Sequence, residues 1–290
     1  MLEAGGAPGL ALLAELRRRP GRSALIGITG APGSGKSTLT DRLIGAGRAA
    51  GERVAVLAVD PSSPFSGGAI LGDRIRMMRW HDDPGVYIRS LASRGQLGGL
   101  SAAALQAAAL LDAAGFDRVL LETVGVGQSE VDIAAVADTT ILVMTPGQGD
   151  GVQAFKAGIM EIADIFVVNK ADHPGVSLLR REIAALLSLG NYGPGDWKPP
   201  IVSTVSMSGE GIDSLTGHIR DHAAHLNEHG GREKARARRE RAEVGSLLSR
   251  ELQAEIARAG RPLLAALLSG DVTPAGALRR LLAGDYSGEA

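Results

Sequence analysis

A phosphate-binding loop is the first chemical feature that the sequence offers. Residues 30–37 match the pattern G-x-x-x-x-G-K-[ST], in which glycines let backbone N–H groups turn toward an anion. Lys36 can reach the outer phosphates of a nucleotide, and the hydroxyl of Ser37 can bind Mg²⁺. The predicted phosphate site consists of Gly30, Ala31, Pro32, Gly33, Ser34, Gly35, Lys36, Ser37 and Thr38.

Acidic residues follow two apolar runs further along the chain. Asp60 comes directly after residues 54–59, and Glu122 comes directly after residues 118–121. Because ligands bind at the carboxyl ends of strands in an open parallel sheet, we expect Asp60 to face the phosphates and Glu122 to lie near the metal ion. Asp73 stands where a helix cap is expected, a role that is compatible with a functional one. A glycine three positions after Glu122 is typical of nucleotide-dependent switch loops.

Residues 169–172 read Asn-Lys-Ala-Asp and match the pattern N-K-x-D. An Asp carboxylate can accept the ring N–H and the exocyclic amine of guanine, a pair of donors that adenine does not present. The Asn and Lys are expected to tie this segment to the phosphate loop. Together the two motifs predict a site for GTP or GDP with Mg²⁺. The expected residues of the base-binding loops are Asn169, Lys170, Asp172, Val205, Ser206 and Met207.

The elements that must position these residues are predicted from apolar runs and helical periodicity. About seven short strands alternate with helices, which indicates an α/β fold with a mostly parallel central sheet, that of a P-loop NTPase. The predicted strands are residues 24–28, 54–59, 86–89, 118–121, 140–144, 165–168 and 201–205. The predicted helices of this part are residues 8–19, 38–49, 101–114, 176–189 and 212–227.

Three segments are expected along the chain: an N-terminal helical extension at 1–20, the nucleotide domain at 21–229, and a C-terminal helical arm at 230–290. The arm is predicted to contain helices at 232–259, 261–268 and 273–282. Apolar residues at helical spacing in the first of them suggest a homodimer interface or a partner-binding surface.

Charged residues outside the motifs have less specific interpretations. The arginines between residues 232 and 241 are expected to form a solvated helix face, with an anionic partner surface as the alternative. Asp132 and Asp138 are expected to be solvated rather than catalytic.

Composition excludes several classes of function. The net charge is −1, with 31 basic and 32 acidic residues, and aromatic residues make up 3% of the chain, which argues against a nucleic-acid binder. There are no cysteines, so disulfides and thiolate metal sites are excluded. No run of about 18 apolar residues is available for a membrane span. The charge order of the first 19 residues is the reverse of that in a signal peptide, so we expect a cytoplasmic protein without membrane partners.

The motifs resemble those of one known family of GTPases. Residues 59–63 (Val-Asp-Pro-Ser-Ser) and 65–77 (Phe-Ser-Gly-Gly-Ala-Ile-Leu-Gly-Asp-Arg-Ile-Arg-Met), with residues 122–130 (Glu-Thr-Val-Gly-Val-Gly-Gln-Ser-Glu) and the N-K-x-D segment, are similar to the MeaB/ArgK family. The likeness covers most of residues 20–280. It implies a GTP-hydrolysing chaperone, homodimeric through its C-terminal helices. Such a protein would load and protect an adenosylcobalamin-dependent acyl-CoA mutase, chiefly methylmalonyl-CoA mutase.

The resemblance also implies roles for individual residues. Lys36 and Ser37 would hold phosphates and Mg²⁺, while Asp60, Asp73 and Glu122 would belong to the metal and switch machinery. Asp172 would read guanine, and Lys156 would lie in a third switch segment that moves toward the nucleotide. The catalytic candidates are Lys36, Glu122, Gln128 and Lys156.

The sequence departs from familiar patterns at three places. The family's third base loop usually reads Ser-Ala-x, where this chain has Val205, Ser206 and Met207, so a side-chain hydrogen bond at Val205 is lost. The leading helix is also shorter than usual. Small GTPases carry a water-positioning Gln directly after the switch glycine, where this chain has Val126. We therefore expect slow hydrolysis that the mutase partner stimulates.

Three alternatives remain at this level. A nickel-inserting GTPase of the metallochaperone type usually displays Cys or His clusters, and this chain has no Cys and six scattered His. A protein kinase linked to amino-acid transport would need a protein-substrate site that no motif supplies. A partitioning ATPase carries an extra Lys where this chain has Ala31, and its site does not specify guanine.

Overall fold

The structure is a computed structural model that describes Glu15 and residues 21–60, 74–92, 102–123, 129–147 and 159–283. Within these residues, seven strands form one sheet in the order β3-β2-β4-β1-β5-β6-β7. All neighbouring strands in the sheet run parallel. The predicted α/β fold with a parallel seven-stranded sheet is confirmed.

The strands follow the apolar runs closely because such runs can be buried on both faces of a parallel sheet. They are β1 (Ala24–Thr29), β2 (Val54–Asp60), β3 (Val86–Ala92), β4 (Arg118–Thr123), β5 (Thr139–Met144), β6 (Ile165–Asn169) and β7 (Ile201–Thr204). Each strand differs from its predicted bounds by one to three residues at one end. Glu122 lies inside β4 and is 1% exposed, whereas Val205 lies in the loop after β7.

The helices of the described residues are α1 (Lys36–Ala49), α2 (Ala102–Ala113), α3 (Ser129–Val136), α4 (Val176–Leu189), α5 (Ile212–Glu228), α6 (Gly231–Ser269) and α7 (Pro274–Ala283). Two 3₁₀ helices, Arg74–Trp80 and Ile159–Ile162, complete them. The helix expected after Asp73 is therefore of the 3₁₀ type, and Asp73 itself lies outside the described residues. The predicted leading helix also lies outside them, apart from Glu15, which is helical.

The hydrophobic core fixes the element that carries the phosphate loop. Ile26 and Ile28 of β1 are fully buried, and they share one cluster with Leu39 and Leu43 of α1. Burying one such aliphatic side chain contributes about 1.5–3 kcal/mol. The loop between β1 and α1 therefore starts and ends on firmly packed elements.

Carboxylates link neighbouring strands at the edge of the sheet opposite the strand carboxyl ends. Asp138, which precedes β5, accepts a hydrogen bond of 3.0 Å from the backbone N–H of Leu25. Asp164, which precedes β6, accepts one of 2.7 Å from the N–H of Thr140. The expectation of a solvated Asp138 was wrong, because this residue is 8% exposed and serves as a structural acceptor.

A buried histidine lies next to Asp164. The Nε2 atom of His222 is 3.5 Å from Oδ1 of Asp164, and its Nδ1 atom is 2.9 Å from Oγ1 of Thr139. Burial lowers the pKa of His222 to about 4, and repulsion from His225 adds to this shift. Burial also raises the pKa of Asp164 to about 6, against the opposing effect of the hydrogen bond from Thr140.

The arginine-rich start of α6 binds the first part of the chain. Arg238 donates to the backbone oxygens of Ala135 and Ala137 at 3.1 and 2.9 Å. Arg239 donates to the oxygen of Val136 at 3.3 Å and pairs with Asp138 at 2.5 Å. The expected fully solvated arginine face is therefore wrong for these two residues. They neutralise the carbonyl end of α3, where a cation is favourable.

The chain divides into two compact units, Met1–Arg239 and Glu240–Ala290. The predicted boundary at residues 229–230 stays a prediction.

The two helices predicted at 232–259 and 261–268 are one helix of 39 residues, α6, which continues through Gly260 and Pro262. No helix within the described residues is long and apolar enough to cross a membrane.

Candidate nucleotide-binding site

The phosphate loop has the backbone geometry that its glycines allow. Gly30 has φ 139°, and a Cβ there would lie 2.1 Å from the backbone oxygen of Val143. Gly35 has φ 91°, and a Cβ would lie 2.3 Å from Nδ2 of Asn169. Any larger side chain at either position would force the surrounding segments apart, so the tight loop requires glycine at both.

The ammonium of Lys36 lies above this loop. Its Nζ atom donates to the backbone oxygens of Gly30 at 2.7 Å and Ala31 at 3.0 Å. Because α1 begins at Lys36, the positive end of the helix dipole lies at the same place as the ammonium. Both features favour an anion in the loop.

Ser37 and Glu122 bring two oxygen ligands together. The hydroxyl of Ser37 donates to Oε1 of Glu122 at 2.6 Å, and both residues are buried. Hydroxyl and carboxylate oxygens are the hard ligands that Mg²⁺ prefers, so this pair fits a magnesium ion. The side chain of Asp60, at the end of β2, is not described, and Asp73 lies outside the described residues.

The N-K-x-D segment is tied to the phosphate loop as the sequence predicted. The Nδ2 atom of Asn169 donates to the oxygen of Ser34 at 2.8 Å, and Nζ of Lys170 donates to the oxygen of Gly33 at 3.0 Å. Lys170 has φ 56°, an uncommon conformation for a residue with a side chain. The contacts hold the carboxyl end of β6 against the loop that follows β1.

Asn169 also forms hydrogen bonds with the end of β7 and with the third base loop, residues 205–207. Its Oδ1 atom accepts hydrogen bonds from Oγ1 of Thr204 at 3.1 Å, from the N–H of Ser206 at 3.1 Å, and from Oγ of Ser206 at 2.8 Å. Asn169 is 2% exposed. Its amide thus joins β7 and the loop after it to the phosphate loop in one buried network.

These segments enclose a single cleft of about 610 Å³. Its lining contains the side of the phosphate loop, the end of β4, the N-K-x-D segment and the third base loop. The lining residues are Pro32, Gly33, Gly35, Lys36, Ser37, Thr38, Glu122, Thr123, Asn169, Lys170, Asp172, His173, Val205, Ser206 and Met207. Gly30, Ala31 and Ser34 support the loop without lining the cleft. Gln128 and Lys156 lie outside the described residues.

Comparison with known proteins decides the family. The model of the methylmalonyl-CoA mutase-associated GTPase family, MeaB, matches residues 5–261. The chain belongs to this family. It is accordingly a GTPase, and it binds guanine nucleotide, as the two motifs predicted.

Two relatives and one solved structure are similar to this chain over most of its length. A putative GTPase of Pyrococcus horikoshii is 52% identical over 231 residues, which cover 79% of this chain and 73% of that protein. The mitochondrial methylmalonic aciduria type A homolog of Mus musculus is 39% identical over 199 residues, or 68% of this chain and 48% of that protein. The crystal structure of a LAO/AO transport system kinase superposes with a TM-score of 0.69 at 27% identity, covering 96% of this chain and 86% of that one.

Sequence reasoning missed several residues of the MeaB-family site. Thr123 and His173 line the cleft, and Thr204 bonds to Asn169. Arg42 of α1 donates from Nε to the oxygen of Ser206 at 2.8 Å and from its NH2 group to the oxygen of Met207. Thr123, Thr204 and His173 adjoin motif residues and could have been found by that signal. No local pattern points to Arg42.

Proposed function

We propose that the protein uses its GTPase cycle to assist cofactor loading and protection of an adenosylcobalamin-dependent acyl-CoA mutase, with methylmalonyl-CoA mutase as the first candidate. The description of the matching family names an association with that mutase. The name of the mouse relative, methylmalonic aciduria type A homolog, points to the same metabolism. We place this activity in the cytoplasm.

The observation that carries the nucleotide part is the hydrogen bond from Asn169 to the oxygen of Ser34. It joins the segment that would read the base to the loop that would hold the phosphates, with Asp172 and Lys36 lining one cleft. A site assembled in this way can bind both ends of one GTP. Guanine selectivity would come from Asp172, since an adenine base leaves its carboxylate without donors.

We assign the phosphates to the backbone of residues 30–38 and to Lys36. Ser37 and Glu122 would hold Mg²⁺, with Asp60 and Asp73 as further metal and switch residues. When bound, the ion offsets negative charge on the phosphoryl group that is transferred. Lys36 adds a second positive charge at the same place, and the burial of Ser37 and Glu122 strengthens such interactions.

We further propose that hydrolysis is slow in the isolated protein and faster in complex with the mutase. Val126 occupies the position where small GTPases have a water-positioning Gln, so the isolated chain lacks that group there. Gln128 and Lys156 are candidates to supply the missing contact once a partner moves the switch segments. A turnover of several per second without partner would contradict this proposal.

A homodimer is proposed on the exposed apolar residues of α6. Val244, Leu248 and Ile256 are 56%, 62% and 49% exposed, and their spacing places them on one side of the helix. Light scattering should give twice the mass of the chain, and substitution of Leu248 by Glu should give the monomer mass. An unchanged dimer in that variant would place the interface elsewhere.

The metal-insertion and kinase alternatives have weaker support. The chain has no cysteine, and within the described residues no group of three or more His, Asp or Glu side chains could hold a metal ion. One protein of similar structure is called a transport-system kinase, so transfer of labelled γ-phosphate to protein is a direct test. Label in the protein fraction, rather than in free phosphate alone, would favour the kinase.

The guanine assignment is tested with Asp172→Asn. The amide should weaken GTP binding and favour xanthosine triphosphate, because the oxygen at position 2 of xanthine can accept from the new amide. Isothermal calorimetry with GTP, XTP and ATP measures the change. ATP binding as tight as GTP binding in the wild type, or no gain for XTP in the variant, would contradict the site.

The mutase assignment is tested by co-purification. The protein is mixed with candidate acyl-CoA mutases in the presence of GDP, of a non-hydrolysable GTP analogue, or of no nucleotide. A complex whose stability depends on the nucleotide supports the chaperone proposal. If no candidate mutase forms such a complex, the chaperone proposal fails while the GTPase remains.

A further inference from the structure

The third base loop, residues 205–207, is held from outside by the side chain of Arg42. Its Nε atom donates to the oxygen of Ser206 at 2.8 Å, and its NH2 group donates to the oxygen of Met207. A guanidinium presents several N–H donors in one rigid plane, so it can bind two neighbouring carbonyls together. Arg42 therefore fixes the position and the orientation of the loop.

The internal hydrogen bonds of the loop leave these two carbonyls to Arg42. The N–H of Val205 donates to the oxygen of Glu210 at 3.0 Å, and the N–H groups of Ser208 and Gly209 donate to the oxygen of Val205 at 3.1 and 2.9 Å. In the part of the chain that the structure describes, no backbone N–H donates to the oxygens of residues 206 and 207. The loop is thus fixed internally at Val205, and Arg42 fixes its tip.

The side chains of the loop contribute little to this fixation beyond Ser206. Val205 has no polar side-chain atom, and Met207 is 78% exposed. Ser206 bonds to Asn169, which fixes one point of the loop from β6. Arg42 adds a second contact point from a different element, α1, and this contact is at the tip of the loop.

The helix that carries Arg42 also carries the phosphate end of the site. α1 begins at Lys36 and Ser37, six and five residues before Arg42. Its Leu39 and Leu43 are fully buried in the core, so the helix is a rigid support. One packed helix therefore holds the phosphate loop at its start and the base loop through Arg42.

We propose that Arg42 is a positioning residue for guanine recognition, which sets the distance of the third base loop from the phosphate loop. This inference rests on the nucleotide site proposed above. It predicts that loss of the guanidinium weakens binding of the guanine base and leaves binding of the phosphates unchanged.

The test compares Arg42→Ala and Arg42→Lys with the matched control Arg220→Ala. Arg220 is also a helical arginine, but it is exposed, and its Nε atom donates at 3.4 Å to the oxygen of Thr216 in its own helix. Affinities for GDP and for ADP are measured by competition with a fluorescent GDP derivative. ADP has the same diphosphate and ribose and lacks guanine, so it reports the phosphate contacts.

We expect Arg42→Ala to lower GDP affinity about tenfold, the size typical of losing a hydrogen bond that involves a charged group. ADP affinity and kcat should change less than about twofold, while KM for GTP rises with the GDP dissociation constant. Arg42→Lys should fall between Arg42→Ala and the wild type, because its ammonium cannot bind two carbonyls in a fixed plane. The control should behave as the wild type does.

The outcomes separate this inference from the function proposed earlier. If the wild type prefers GDP to ADP and Arg42→Ala keeps the whole preference, the role of Arg42 is wrong and the guanine site stands. Equal losses for GDP and ADP would also overturn it, because they indicate general damage to the site. If the wild type has no preference for GDP, the guanine site itself is wrong. Should Arg42→Ala be unfolded in thermal melts, the same comparison is made with Arg42→Lys.

Discussion

Replacement of Asn169 by Ala should damage both the stability and the nucleotide affinity of this GTPase. The side chain is 2% exposed and donates to the oxygen of Ser34 at 2.8 Å. It also accepts from the hydroxyl of Thr204 and from the N–H and hydroxyl of Ser206. The alanine variant removes all of these hydrogen bonds at once and leaves their partner groups in place.

The magnitude follows from the groups left behind. The two hydroxyls can rotate toward other acceptors, whereas the oxygen of Ser34 and the N–H of Ser206 are backbone groups with fixed directions. Leaving a buried polar group without a partner costs about 1–3 kcal/mol, so the two groups together cost about 2–4 kcal/mol once water enters the space. GDP affinity should fall as well, since the base loops lose their tie to the phosphate loop.

The measurement is urea unfolding without nucleotide, followed by calorimetry with GDP. Tryptophan fluorescence reports unfolding, because the indole N–H groups of Trp80 and Trp197 bond at 2.8 Å to Oδ1 of Asp41 and to the oxygen of Asp164. Asn191→Ala, an exposed asparagine in the loop before β7, is the control. Asn169→Asp keeps the acceptor, removes the donor to Ser34 and adds a negative charge beside the Ser34 oxygen, so it should also lose GDP affinity. If Asn169→Ala unfolds and binds GDP as Asn191→Ala does, the reasoning is refuted.

Two further predictions concern the opposite edge of the sheet. Arg239→Ala should lower the free energy of unfolding by about 2 kcal/mol, because the buried Asp138 loses a partner at 2.5 Å. The loss is smaller than for a fully buried pair, since the side chain of Arg239 is 26% exposed. Urea titrations compare this variant with the exposed control Arg241→Ala, and equal effects of the two substitutions would contradict the role of the ion pair. In Asp164→Asn, unfolding free energy should fall by about 2 kcal/mol from pH 6.5 to 4.5, because the unfolded state protonates His222 while the folded state, with its pKa near 4, does not. In the wild type the unfolding free energy should fall less over this pH range, because Asp164, with its raised pKa, takes up a proton in the folded state. The side chain of Asp164 is 32% exposed, which limits this effect. Equal pH profiles of the wild type and the variant would contradict the conclusion that Asp164 offsets the effect of His222.

The strands and the order of strands and helices along the chain were predictable, because each strand is a short apolar run. Residues 165–168 and 201–205, for example, differ from the observed β6 and β7 by one residue at an end. Strand ends were less accurate where a polar residue is buried. Glu122 was predicted to follow β4, yet it lies inside the strand, where its hydrogen bond with Ser37 compensates for its burial.

The continuous helix α6 was not predictable by the same rules. Gly260 and Pro262 are signals that a helix ends, and proline in a helix interior costs about 3 kcal/mol. In a helix of 39 residues, the hydrogen bonds on either side of such a position offset this local cost. The helix propensity of single residues can end a short helix, whereas in a long helix the hydrogen bonds on both sides outweigh it.

The sequence by itself determined the phosphate loop, the N-K-x-D segment and the family, because the residues of each motif are neighbours in the chain and their backbone geometry is local. Tertiary structure alone decided that Asn169 joins Ser34 to Ser206, that Arg42 holds the loop at Met207, and that Asp138 is buried. Arg42 and Met207 are 165 positions apart, and Asn169 and Ser34 are 135 apart. Such contacts depend on which strands become neighbours in the sheet, and that order is set by packing of the whole domain.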